Sequence, residues 1–226
     1  MNRTQGDHPP ARATAIIRRP ESADLATLTC FFSGLSIRTR VQRFFAPVWP
    51  TAALIRLACG WAGESRAGGE GRAGGEGRAG GSNARGRAGH TDALVATIGG
   101  VIIGHAMAAD QAADPAAAPA GLVTEIGVVV ADAWQGQGVG SALVRALISR
   151  AQARGVTSLS MDVLPGNRDV LAMIAGHWTA ARTRRGVDCV TIQAGLAPDQ
   201  AGLPPDQAGL VRTSPPSARI AAACGS

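Results

Sequence analysis

The chain has no lysine and no tyrosine, so all 22 of its basic side chains are arginine. Aromatic residues make up only 4% of its 226 residues, and the arginines are scattered. A formal charge of +6 suits an acidic ligand. Arginines without interleaved aromatics or a basic stripe do not read as a nucleic-acid face, so no nucleic-acid partner is expected. The abundance of Ala, Gly and Arg reflects codon bias as much as function. Cysteine is sparse too: Cys30, Cys59, Cys189 and Cys224 lie far apart with no C-x-x-C pair. That pattern argues against a metal site or a disulfide framework and makes reduced thiols the default. No apolar run reaches membrane-spanning length, and Met1 to Arg12 lacks the apolar core of a secretion signal. A cytoplasmic protein without a membrane partner is the expectation.

What is present is enough chain for one domain with a good core plus unstructured pieces. Residues 1–12 are polar, with Pro9-Pro10, and read as a disordered tail. Thr14 to Arg18 is a short strand candidate. Pro20, Glu21 and Asp24 suit a helix start, followed by an apolar side of Leu25, Leu28, Phe31 and Phe32. Ser36 to Phe45 reads as a second helix, and Thr51 to Cys59 as a further turn or two. Asp92 to Ile98 and Val101 to Met107 flank Gly99-Gly100, a strong hairpin signal. Ala108 to Ala120 reads as a loop. Thr157 to Val163 alternates cleanly, Asn167 to Ala175 suits a short helix, and Trp178 to Arg182 with Asp188 to Gln193 suits a last hairpin.

Two stretches resist this reading. In 63–89 the unit Gly-Glu-Gly-Arg-Ala-Gly-Gly recurs at Gly69 to Gly75 and Gly75 to Gly81. It has nothing apolar to bury and much backbone entropy to lose, so it reads as a disordered insertion in a loop. An arginine–glycine segment can bind RNA, but interleaved Glu64, Glu70 and Glu76 leave this one nearly neutral. Residues 197–226 repeat a Pro-Asp-Gln-Ala-Gly-Leu unit and read as a disordered Pro/Ala-rich tail.

The organising stretch is Leu122 to Arg154. An apolar strand, Leu122 to Val130, leads through a short turn to Gln135-Gly136-Gln137-Gly138-Val139-Gly140. An amphipathic helix opens there, with Val139, Leu143, Val144, Leu147, Ile148 and Ala151 at helical spacing. Glycines free backbone N–H groups to face outward, and a helix start adds unpaired donors and a positive dipole end. The unit therefore suits a pyrophosphate. A dinucleotide fingerprint would need G-x-G-x-x-G directly after a strand. Here the spacing is G-x-G-x-G, after a five-residue gap.

Gln135-x-x-Gly138-x-Gly140 instead resembles the acetyl-coenzyme A motif Q/R-x-x-G-x-G/A of the GNAT N-acetyltransferases. The resemblance runs over about 13–196. It includes Arg18-Arg19-Pro20, Phe32-Ser33-Gly34-Leu35-Ser36 and Arg43-Phe44-Phe45, which look like the N-terminal helices of actinobacterial members, the protein-lysine acetyltransferase branch among them. Val163-Leu164-Pro165-Gly166-Asn167-Arg168 resembles the family's V-L-x-x-N segment. The resemblance implies an α/β fold: a mixed, mostly antiparallel sheet flanked by helices, with two splayed central strands, Leu122 to Val130 and Thr157 to Val163.

It also implies roles. Acetyl-CoA would be the acetyl donor, with no metal. Glu125 would be the general base; it is the sole carboxylate in the central strand and is followed by apolar residues. The Val128 N–H would face the thioester carbonyl, and Val130 would bind the pantetheine arm. Gln135, Gly136, Gln137, Gly138, Val139, Gly140 and Ser141 would hold the pyrophosphate. Asn167 would contact the cofactor, or cap the helix that follows it. His105 could line the acceptor pocket, although a structural histidine is the plainer reading; Trp178 fits the core.

One departure stands out. Ile174 occupies the place where many members carry a tyrosine as general acid. The expected activity is direct acetyl transfer to a primary amine, on a protein lysine or a small molecule, in a ternary complex. The missing tyrosine keeps a catalytically silent coenzyme A-binding module as the alternative. Oligomeric state is left open.

Overall fold

The computed structural model describes residues 13–61, 89–112, 122–178, 180–196 and 210–213. The expectations for 1–12, for nearly all of 63–89 and for most of 197–226 fall outside the described residues. The strands are β1 (Ala13–Arg18), β2 (Thr91–Ile98), β3 (Val101–Ala112), β4 (Leu122–Val130), β5 (Ser158–Val163), β6 (Arg182–Arg185), β7 (Val190–Gly195) and β8 (Leu210–Thr213). The helices are α1 (Leu25–Gly34), α2 (Ile37–Phe44), α3 (Ala52–Ala58), α4 (Val139–Ala153) and α5 (Arg168–His177).

Local chemistry sets the helix ends. Asp24 accepts from the Glu21 N–H (2.8 Å) at the turn entering α1. Ser36 Oγ accepts from the Thr39 N–H (3.2 Å) and Thr51 Oγ1 from the Leu54 N–H (3.2 Å), starting α2 and α3. Phe45 ends α2 in the left-handed region, at φ 58°.

The eight strands form one sheet in the order β6-β7-β5-β4-β3-β2-β1-β8. Among the described residues only β4 and β5 run parallel; every other pair is antiparallel. The fold is therefore the mixed α/β sheet flanked by helices that the resemblance implied. Each face of the sheet buries its own core. On one face α4 sets Val139, Leu143 and Leu147 against Ala106, Ile126 and Leu159. On the other, α1 and α3 set Leu28, Phe32 and Ile55 against Val95, Ile102 and Val129. Trp178 packs half-buried on the first core, as expected. Among the described residues no helix is long and apolar enough to cross a membrane.

A charged cluster clamps α4 to the sheet. Asp92, its side chain 2% exposed, takes Arg150 Nε at 2.6 Å, Arg154 at 3.1 Å and Arg19 at 3.2 Å. Asp110 takes Arg154 Nε at 2.9 Å and the Thr124 hydroxyl at 2.6 Å.

Three expectations are corrected. Ala108 to Ala112 is strand rather than loop, pairing in register with β4 to Ala112↔Leu122. Asp110 made this stretch look like loop, yet its charge is buried and paired. The edge strand β6 is Arg182–Arg185 rather than Trp178 to Arg182; all four residues are exposed, so no apolar alternation marks it. Leu210–Thr213, within the stretch read as tail, is a strand paired with β1.

Candidate functional site

The parallel pairing of β4 with β5 covers only Val123↔Ser158, Thr124↔Leu159 and Glu125↔Ser160. Both strands continue past it, β4 to Val130 beside β3 and β5 to Val163 beside β7, without pairing to each other. The Ala131 N–H donates to the Ile103 carbonyl on the β3 side (2.9 Å). Because backbone groups alternate along a strand, those of Ile126, Val128 and Val130 point the other way, into the opening. The N–H groups of Val128 and Val130 thus have no strand partner. The Val130 carbonyl accepts from Gln135 Nε2 (3.0 Å).

The glycine loop closes the end of this opening. Gly136 (φ +72°) and Gly138 (φ +82°) are both left-handed, a conformation strained for other residues. A side chain on either would meet nothing within 4 Å, so the loop surface is open. Val139, Gly140 and Ser141 form the first turn of α4, and their N–H groups precede any i−4 acceptor within the helix. Gln137 Nε2 donates to the Ala133 carbonyl, and Ser141 Oγ lies 3.4 Å from Met173 Sδ.

Asp132 fixes the loop to α2. It accepts from the Ser36 N–H (3.0 Å), the Ser36 hydroxyl (2.7 Å) and the Thr39 hydroxyl (2.7 Å). Burial pushes its carboxyl up, but these hydrogen bonds outweigh burial and hold it below the usual carboxylate range. Sequence reading missed this residue because its partners lie over 90 positions away.

A cleft runs along the opened strand. Glu125, Gly127, Val128, Asp162, Val163 and Asn167 line it, with Gln42, Arg43 and Phe45 from the end of α2 and Met107 and Ala109 from β3. Glu125 is exposed rather than buried, and its carboxylate accepts from Gln111 Nε2 (2.7 Å). Asn167 occupies the N-cap position of α5, but its side chain makes no capping hydrogen bond. Ile174 is buried in the main core and does not line the cleft. Arg43 and Asp162 join the site although the chain's pattern gave them no role; neither lies in a motif that carries chemistry.

His105 does not line the cleft. It is fully buried, its ring 5.3 Å from that of Phe32 and its Nε2 4.0 Å from Cys59 Sγ. Burial, aided by the Arg43 charge, pushes its pKa down to about 3. An unfolded histidine protonates below about pH 6.5, whereas the folded one stays neutral, so stability falls with acid through that window. Wild type should lose up to about 1.4 kcal/mol per pH unit below pH 6.5 relative to His105→Leu. Urea unfolding at pH 7.5, 6.0 and 5.0 measures the difference; parallel curves contradict it.

The cleft and loop fit a thioester of coenzyme A: an unpaired strand edge for an extended amide arm, and glycine N–H groups with a helix start for a pyrophosphate. Comparison with known proteins points the same way. Residues 77–175 match the model of the acetyltransferase (GNAT) family. No curated protein sequence matches. Among solved structures, the GNAT domain of S. lividans PAT superposes with a TM-score of 0.59 at 24% identity, over 85% of this chain and 100% of that one. The ribosomal-protein-alanine N-acetyltransferase of Brucella melitensis gives 0.54 at 20% identity, over 80% and 99%. YncA of Salmonella typhimurium, solved with its cofactor acetyl-CoA, gives 0.52 at 17% identity, over 84% and 97%. The chain therefore shares its fold with these acetyltransferases, and its residues 77–175 match the GNAT family's model.

Proposed function

We propose that this chain is an N-acetyltransferase that passes an acetyl group from acetyl-CoA directly to a primary amine, both bound at once. The observation that carries the reading is the unpaired edge of β4 beyond Glu125, aimed at the glycine loop that opens α4. In this reading the Val130 N–H and Asn167 hold the pantetheine arm. Gln135, Gly136, Gln137, Gly138, Val139, Gly140 and Ser141 hold the pyrophosphate through backbone N–H groups and the α4 dipole. Acetyl-CoA supplies the thioester carbonyl carbon that the amine attacks.

Glu125 takes a proton from the incoming ammonium, directly or through a water, and leaves the nitrogen lone pair free. Its exposure on the cleft wall lets an amine reach it, and the Gln111 hydrogen bond orients the carboxylate. The Val128 N–H donates to the carbonyl oxygen as negative charge grows there. Such a preorganised donor contributes about 3 kcal/mol in a dry site. The new N–C bond forms as the C–S bond breaks, and water protonates the departing thiolate. No residue on α5 does so: of that helix Val170 lines the cleft, with Asn167 at its cap, and Ile174 is core. A thiol's ordinary pKa of about 8.5 makes that step feasible without a protein acid.

The catalytic domain in this reading is 13–196, completed by β8. Cys30, Cys59 and Cys189 are free thiols, which suits the cytoplasm. The lack of any tyrosine to protonate the thiolate favours one second reading, a coenzyme A-binding module without turnover. Amine-dependent release of the coenzyme A thiol separates the two. Transfer predicts thiol and N-acetyl product in equal amounts, with neither formed when amine is left out. Tight acetyl-CoA binding with no acceleration by any amine supports the silent module.

A further inference from the structure

We propose that Arg43 is the acceptor-recognition residue, and that the acceptor is a small amine carrying a carboxylate close to its nitrogen. The inference rests on the transferase reading above and adds the acceptor's chemical class.

The guanidinium of Arg43 reaches from the last turn of α2 to lie directly over Gly127 of β4. A Cβ at Gly127 would stand 2.6 Å from Arg43 Cζ, so the missing side chain is what admits the guanidinium. Arg43 lines the cleft beside Glu125. Its Nε is buried without a hydrogen-bond partner, and it makes no ion pair among the described residues. Three other half-buried arginines are ion-paired. Arg18 is paired with Asp24, and Arg150 and Arg154 with Asp92 and Asp110. Arg40 is also unpaired, with Nε and Nη1 buried without hydrogen-bond partners, but it lies 4.1 Å over the Trp49 ring and does not line the cleft.

Burial lowers the Arg43 pKa to about 10, with the Glu125 charge opposing, so the guanidinium stays cationic at neutral pH. A buried unpaired charge costs folding free energy, and a site that keeps one gains most from a ligand that completes it. Phe44 lies against it, 5.2 Å from Cζ to the ring centroid, and no described residue makes a hydrogen bond or ion pair with the guanidinium's planar edge. That edge matches a carboxylate, which it can take through two parallel hydrogen bonds. The cleft's own carboxylates, Glu125 and Asp162, do not take it. Their negative charge also disfavours a doubly charged phosphate against a singly charged carboxylate. Glu125 lies two residues along the same strand from Gly127. An amine at Glu125 and a carboxylate at Arg43 therefore fit one small molecule.

The test compares kcat/KM for matched pairs: L-phenylalanine, L-methionine and 4-aminobutyrate, each against the same amine lacking its carboxylate. The proposal expects the carboxylated member of the best pair to be preferred at least about tenfold. Arg43→Gln should reduce that ratio at least about tenfold, and Arg43→Lys should fall between, keeping charge but not the fork. Comparing the ratio between enzymes cancels the different basicities of the two amines. Gly127→Ala, which displaces the guanidinium without removing it, should lower the ratio as well, and it decides the matter if Arg43→Gln does not fold.

An unchanged ratio in these variants, or wild-type preference for the amines lacking a carboxylate, overturns the proposal and leaves the transferase standing. Thermal unfolding with acetyl-CoA is run beside the assay. Stabilisation by acetyl-CoA with none of these amines acetylated overturns the proposal and keeps the coenzyme A site. No stabilisation and no transfer removes both readings.

Discussion

Glu125→Gln is expected to lower turnover by about 10²–10⁴-fold, the range over which a positioned general base contributes. Acetyl-CoA affinity should stay within about twofold, because the residues proposed to hold the cofactor lie further along β4 and on α4. The substitution keeps the side chain's shape and its contact with Gln111, and removes the charge that accepts the proton. A second signature follows. Without its base, the variant depends on the amine fraction that is already neutral, so its residual rate should climb with pH toward the amine's own pKa. Steady-state rates from pH 6 to 10 and calorimetric binding of acetyl-CoA measure both parts. A variant with more than a tenth of wild-type turnover assigns Glu125 to the cleft's surface chemistry alone.

The largest effect on stability is expected at Asp92. Asp92→Ala should cost about 3–5 kcal/mol, the range for removing one partner of a buried ion pair. The carboxylate is almost wholly buried, and it is the shared acceptor of Arg150, Arg154 and Arg19. Its loss leaves α4 held by packing and the Arg154–Asp110 pair, with Arg150 stripped of its Asp92 carboxylate partner. For a chain of this size the melting temperature should fall by about 6–20 °C.

The pH dependence has a definite sign. Burial alone would raise the Asp92 pKa, but the Arg150 hydrogen bond and the charges of Arg150, Arg19 and Arg154 outweigh it and hold it low. A carboxylate held low contributes fully above its unfolded value of about 4 and loses that contribution as pH falls below it. The gap between wild type and variant should therefore be constant near neutrality and narrow below about pH 4. Urea unfolding at pH 7 and pH 3.5 measures it. A cost under about 1 kcal/mol at pH 7 is what an exposed pair gives, and contradicts the account.

The parts of the fold legible in the sequence were those written in local pattern. The β4 strand, the Gln135 to Gly140 turn and the α4 stripe are contiguous, and their periodicity and glycine chemistry need no distant partner. Ser36 and the Gly99-Gly100 turn declare themselves in the same way. What escaped was set at long range. Asp110 is polar by type yet buried by its arginine partner, so the second half of β3 looked like loop. The strand β8 is only Leu210–Thr213 and exists through pairing with β1, some 200 residues earlier. In the candidate site, Glu125 and the glycines stood out because chemistry and spacing coincide in one stretch. Arg43, Asp132 and Asp162 did not. Each is an ordinary polar residue on its own element, and only the fold brings α2, the loop and β5 around the same cleft.

The measurement that tests the central claim most directly is amide hydrogen exchange with and without coenzyme A. Val128 and Val130 have backbone N–H groups that face the opening and lack a strand partner, and those of Val139 to Ser141 start a helix. The account predicts that the ligand slows exchange chiefly in peptides covering 126–141, with little change in β1, β2 or β7. Protection that leaves 126–141 unchanged, or that appears only elsewhere in the chain, would contradict it.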